Sequence, residues 1–202
     1  MGEQFSYNQL DVLKEIGTIG SATAATALAD MLSQKVEIAV PQVTLVPLEE
    51  IGNVLTRMDQ MFFILDMEVV GDVTGRIFFL LPPDDAKFLA ATLLGKPKEG
   101  MDFNDEMFRS ALKEVCNILG GSYVSAMADM TEFMINISIP SMALDMIGAI
   151  MDFIFIQIAQ DSEEALYIKT EIKVAGLSLN GLFMLFPTTE SLMKVFRALK
   201  VQ

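Results

Sequence analysis

Residues 11–41 and residues 110–140 align without a gap and are identical at ten of thirty-one positions. The shared words are Leu13-Lys14-Glu15 with Leu112-Lys113-Glu114, Ala29-Asp30-Met31 with Ala128-Asp129-Met130, and Pro41 with Pro140. A chain that repeats itself in this way is constrained to build one architecture twice and to bury both copies' apolar faces. A polar spacing is duplicated as well. Each copy has a polar residue, a Glu four later, a second polar residue three after that, and a Pro after twenty-two more. These are Asp11, Glu15, Thr18 and Pro41 in the first copy, and Ser110, Glu114, Asn117 and Pro140 in the second. The copies diverge at Thr18 against Asn117, and function is expected to be decided there.

Local patterns give both halves the order helix, strands, helix. Residues 7–33 predict a long helix, opened by a Ser6/Gln9 capping box in which side chains satisfy free backbone amides. Leu13, Ile16 and Gly20 share one side of it, and Asp11, Glu15 and Thr18 another. The small run Ala22 to Ala27 permits close approach of a second element. Lys35 to Val46 alternates as a strand does, with Pro41 marking an edge or a bulge. Met61–Val70 and Arg76–Leu81 read as a hairpin, followed after Pro82-Pro83 by a helix capped by Asp84 and ending before Gly95. In the second half a helix is predicted from about Asp105 to Thr131. A strand across Pro140 follows, then strands at Ile147–Ala159, Tyr167–Val174 and Leu179–Phe186, and a last helix at Glu190–Lys200. The turn at Gly95 to Gly100 is too short to hold separate bodies apart. Residues 1–202 are therefore expected to form one α/β (α+β) domain with mainly antiparallel strands, made of two pseudo-twofold repeats, about 1–100 and 101–202.

The net charge of −13 argues against nucleic acid as a partner, which requires clustered cations, and disfavours an anionic membrane surface. One cysteine, Cys116, allows no intramolecular disulfide and fits a reducing compartment. The N-terminus shows no basic segment followed by an apolar run, so a cytoplasmic protein is expected. The stretch Met142 to Ala159 is apolar but interrupted by Asp145, Asp152 and Gln157, which suits a buried core better than a bilayer.

Ser110, Glu114, Asn117 and Gly121 fall on one helical stripe, and Leu112, Val115 and Leu119 point to the other side. The stripe is expected to face outward. A solvated helix face is the plainest explanation of a Glu and an Asn. Against it stand the recurrence of the pattern and the mid-helix Gly120-Gly121, which costs helix stability and so needs another reason. Cys116 lies off the stripe with no histidine to activate it, which predicts a buried thiol. The fifteen methionines mostly fall in apolar runs and are assigned to packing. No phosphate-binding glycine loop occurs, and Gly17 and Gly20 are read as close-packing positions.

The doubled pattern Asp/Ser-x-x-x-Glu-x-x-Asn-x(22)-Pro resembles that of the CheC family of chemotaxis phosphatases, within the CheC/CheX/FliY superfamily. So do Leu-Lys-Glu-Ile-Gly at 13–17 and Lys-Glu-Val-Cys-Asn-Ile at 113–118. The resemblance covers nearly the whole chain. It implies long motif helices packed on the sheet and removal of phosphate from the aspartyl phosphate of a CheY-type response regulator. Asn117 would then position the attacking water and Glu114 would dock against a lysine of the regulator. Ser110 and Asp11 match the supporting position, while Glu15/Thr18 would be a degenerate half-site. The resemblance implies no cofactor of the chain's own, with Mg2+ on the phosphorylated partner. A CheD-type receptor deamidase is a further partner it suggests, and a largely non-catalytic binding role is the alternative. A monomer is expected, because a duplicated chain can substitute internally for a dimer.

Overall fold

A computed structural model describes residues 6–47, 60–158 and 164–201. The chain runs α1 (Tyr7–Leu32), β1 (Val36–Pro47), β2 (Met61–Gly71), β3 (Gly75–Leu81) and α2 (Pro83–Leu94). The second half runs α3 (Glu106–Thr131), β4 (Ile135–Ile137), β5 (Ser141–Met146), α4 (Ile147–Ile158) and β6 (Glu164–Val174). It closes with β7 (Leu177–Leu179), β8 (Leu182–Pro187) and α5 (Thr189–Ala198). Among the described residues, all strand pairs are antiparallel. The α/β fold expected from the sequence is therefore observed. The N-terminal segment bearing on a leader lies, up to residue 5, outside the described residues.

The two copies exchange strands. β1 of the first half pairs with β6 of the second, while β4 and β5 of the second half pair with β2 of the first. The registers correspond residue for residue. Val36 faces Val174, and its equivalent Ile135 faces Gly71; Gln42 faces Lys169, and its equivalent Ser141 faces Asp66. The halves meet along β3 and β8, where Phe78 lies opposite Met184. Both motif helices end on a left-handed cap at equivalent positions, Ser33 and Glu132.

The central sheet, β4-β2-β3-β8 with β5 also on β2, is covered on both faces. Odd-numbered residues of its strands, including Phe63, Leu65, Met67, Ile77, Phe79, Phe183 and Leu185, pack into one core with α1, α2, α3 and α5. Even-numbered Ile64, Phe78, Leu80, Met184 and Phe186 form a second core with α4. Burial on both faces explains why these strands read as nearly continuous apolar runs.

That second core corrects one expectation. Ile147–Ala159 is not a strand: Ile147 to Ile158 is helical, and Ala159 lies outside the described residues. Ile147, Ile150, Met151, Ile154 and Ile158 are buried at helical spacing, so the true period is 3.6. Outward-facing Phe153 and Ile156 complete the apolar run and hide that period, so the stretch from Met142 is only half core. Three smaller differences follow from backbone chemistry. Pro82 caps α2 and Pro83 opens it, since proline presets the helical φ there, which leaves Asp84 inside the first turn. The strand expected across Pro140 is two strands separated by a bulge. The strand expected at Leu179–Phe186 is also two, broken at Asn180-Gly181, with Leu179 paired to Ile172 of β6.

Candidate functional site on the paired helices

α1 and α3 pack against each other across small residues. A Cβ on Gly20 would lie 2.9 Å from the Tyr123 Cα, so only glycine admits this crossing. The small run Ala22 to Ala27 begins beside it. Tyr123 in turn stacks on Phe183 at 4.6 Å between ring centroids, fastening the crossing to β8. The Gly120 of the mid-helix pair has an equally direct purpose. It is buried and leaves room for the Met67 side chain from β2, whereas Gly121 faces the Ile137 Cδ1.

With the apolar sides fixed in this way, the polar stripes face outward on both helices. Ser110, Glu114 and Asn117 are exposed, and Leu112, Val115 and Leu119 are buried. On α1, Asp11, Glu15 and Thr18 are exposed while Leu13 and Ile16 are buried. Among the described residues, no hydrogen bond or ion pair occupies the side chain of Glu114 or Asn117. The first copy differs at the position equivalent to Asn117. The Thr18 hydroxyl donates to the Lys14 carbonyl at 2.8 Å, so it is turned back onto its own helix.

The twenty-two residues between Asn117 and Pro140 are an out-and-back excursion. From Asn117 the chain climbs α3 to its cap at Glu132 and returns along β4. Fourteen residues of helix rise about 21 Å, and the return from Ile135 to Pro140 covers about 17 Å. The proline therefore comes back roughly level with Asn117. It lies in a bulge: the Ser138 N–H donates to the Glu68 carbonyl at 2.9 Å, and Ser141 faces Asp66, so Ile139 and Pro140 together oppose Met67. The first copy has the same irregularity between Ala39 and Gln42, where Val40 and Pro41 stand. Proline suits this place because a bulge leaves one N–H without a ladder partner. The motif's Pro is thus a scaffold residue, a purpose the sequence pattern indicated only as an edge or bulge.

A second polar group, which no sequence motif announced, sits on the far face of the sheet. Buried Asp66 takes two hydrogen bonds from Arg76, Nε to Oδ1 at 3.1 Å and Nη2 to Oδ2 at 2.5 Å. Arg76 Nη1 also donates to Gln157 of α4 at 3.0 Å. The cluster ties α4 to the hairpin and is structural. Its signal was the acids Asp66 and Glu68 in the strand run of β2, with Arg76 across the predicted hairpin. Cys116 is buried, as expected. Burial, and then the charge of Asp66, pushes its thiol well above the ordinary range. Among the described residues, no group of three or more acids and thiols is arranged to hold a metal ion, and no helix is long and apolar enough to cross a membrane.

The duplicated α/β scaffold, with its two long helices and their return strands, is matched by the CheC-like family, and the chain belongs to it. The family's profile matches residues 9–45 and 107–144, the two helix and return-strand units. The chain is 32% identical over 195 residues to the CheY-P phosphatase CheC of Bacillus subtilis, covering 95% of this chain and 93% of that protein. It is 26% identical to the flagellar motor switch phosphatase FliY of the same organism, covering 93% of this chain and 48% of that longer protein. Among solved structures, FliY of Thermotoga maritima superposes with a TM-score of 0.77 at 20% identity, covering 97% of this chain and 98% of that one.

Proposed function

We propose that this protein hydrolyses the aspartyl phosphate of a CheY-type response regulator, with Glu114 and Asn117 as its working pair. The observation that carries the reading is the contrast between an outward, unoccupied Asn117 and a Thr18 hydroxyl bonded to its own helix. Membership in the CheC-like family and the name of the Bacillus subtilis relative support the reaction class.

In this mechanism the regulator docks on α3 and Glu114 pairs with one of its lysines. The Asn117 carboxamide, a donor and an acceptor on a reach longer than a hydroxyl's, holds a water in line with the phosphorus. Attack forms the new P–O bond and breaks the acyl P–O bond. Inorganic phosphate leaves, the regulator's Asp carboxylate is restored, and the water's protons pass to phosphate and solvent. The acyl phosphate is intrinsically reactive, so positioning is the main contribution required of the phosphatase. Mg2+ held by the regulator would neutralise charge on the phosphoryl oxygens. Ser110 supports the docking surface beside Glu114. Asp11 and Glu15 form a half-site that contributes binding at most. The protein would act as a monomer in the cytoplasm, where the regulator is.

The test is decay of the phosphorylated regulator with wild-type protein and with Asn117→Ala. Wild type should accelerate decay, and the variant should lose about a hundredfold or more of that acceleration. If both leave the intrinsic decay unchanged, the phosphatase reading falls. Binding to the regulator or to a CheD-type deamidase then becomes the function to measure.

A further inference from the structure

Two contacts fix how the return strand lies along α3. Gly121 faces Ile137, and the Arg109 Nη2 donates to the Met142 carbonyl at 3.0 Å. Helix and strand therefore run past each other in opposite directions between these points. From Ile137 to Ile139 a strand advances about 6.6 Å. The same distance is about four residues of helix, counted back from Gly121. Ile139 thus lies at about the level of Asn117, on the return strand that packs along α3.

Ile139 is 87% exposed, the most exposed large apolar side chain among the described residues. The chain is anchored on both sides of it. Ser138 before it exchanges two bonds with Glu68, its N–H donating to the Glu68 carbonyl and its Oγ accepting from the Glu68 N–H, each at 2.9 Å. Pro140 after it is buried. A bulge re-aims the side chain it carries, and this one aims an isoleucine at solvent next to the polar stripe. At the stripe's other end Met107, which shares its helical phase with Ser110, Glu114 and Asn117, is 55% exposed. Its counterpart in the first copy is the polar Asn8.

We propose that Ile139, with Met107 as a second foothold, is an apolar specificity contact for the phosphorylated regulator on the flank of the Glu114/Asn117 pair. The inference rests on the phosphatase reading. The partner it fits is a folded receiver surface with an apolar patch beside its acyl phosphate and a basic group within reach of Glu114. Apolar flanks around a few polar groups are how an interface excludes water from a central contact. Here that contact is the water-positioning site itself. Neither residue touches the reacting atoms, so their effect belongs in affinity and not in the chemical step.

The experiment uses the full chain. Turnover is followed with acyl-phosphorylated regulator, and binding with regulator held in its active form by beryllofluoride and Mg2+. Ile139→Ala should raise both KM and Kd about tenfold or more, the loss of one buried isoleucine contact, with kcat at saturation changed by less than about twofold. Ile139→Leu should restore most of the affinity, and Met107→Ala should move KM in the same direction. Asn117→Ala should show the reverse split, with kcat lost and Kd largely kept. The thermal unfolding curve of Ile139→Ala should superpose on that of wild type. Unchanged KM and Kd in Ile139→Ala, with turnover still lost in Asn117→Ala, would overturn this inference and leave the phosphatase reading standing. A fall in kcat alone would overturn it too, as would an Ile139 effect confined to self-association of the chain. If wild type neither binds nor dephosphorylates the regulator, both readings fall together.

Discussion

Thr18 and Asn117 occupy equivalent exposed positions, and their side chains are used differently. A β-branched hydroxyl within reach of the preceding turn bonds the carbonyl four residues back, as Thr18 does to Lys14. The Asn117 carboxamide makes no such bond among the described residues and is exposed. Replacing Thr18 by Asn therefore removes a self-satisfied group and adds a carboxamide beside Glu15. In the decay assay Thr18→Asn should raise turnover per chain toward about twofold, the limit for two equal and independent sites. A variant no faster than wild type would show that the first stripe lacks more than one side chain, with Asn8 in place of Met107 the next difference to test. Cys116 offers a second measurement at this scale. Its thiol is buried, and its ionisation is pushed up by burial and then by Asp66. It should resist iodoacetamide in the native protein and react on unfolding. Because the folded state holds this proton more tightly, the associated stability is present below the unfolded thiol's pKa of about 8.5 and is lost as pH rises above it. Native-state alkylation at neutral pH would contradict the burial.

The elements differ in how openly their sequences state them. α1 and α3 were legible because their apolar and polar sides separate cleanly, and the outward direction of Glu114 and Asn117 followed from the same wheel. The β2–β3 hairpin was legible from two β-prone runs around Gly71 to Gly75. α4 was not. Its buried residues follow helical spacing, but exposed Phe153 and Ile156 fill the gaps, and Asp152, its one exposed polar residue, is too little to mark a polar face. The distinction is measurable, because Ile154 and Ile156 would share a face in a strand and are opposed in the helix. Ile154→Ala should cost about 2–5 kcal/mol in chemical denaturation, as a fully buried truncation does. Ile156→Ser, at a position 65% exposed, should stay within about 0.5 kcal/mol. Similar losses at both positions would refute the helix. The bulge was legible only as an irregularity, which its proline announced. The exchange of strand partners between copies was not legible, because strand order rests on contacts distant in sequence.

At the scale of the whole molecule, the exchanged strands set cooperativity. Neither half completes its sheet alone: β1 needs β6, β2 needs β5, and β3 needs β8. Unfolding should therefore be one transition, with far-ultraviolet circular dichroism, near-ultraviolet signals and calorimetry coinciding. Two separated transitions would show the repeats to be autonomous. The same interlacing bears on how the two copies can diverge over time. Substitutions on an outward stripe are private to one copy, whereas a change in the bulge or beneath a motif helix is felt through the partner strand by the other. Selection can therefore specialise one half's surface, as at Thr18 and Asn117, while the two frameworks stay tied to a common shape. A half whose own stripe carried no activity would still be retained, because the other half's framework is built on it.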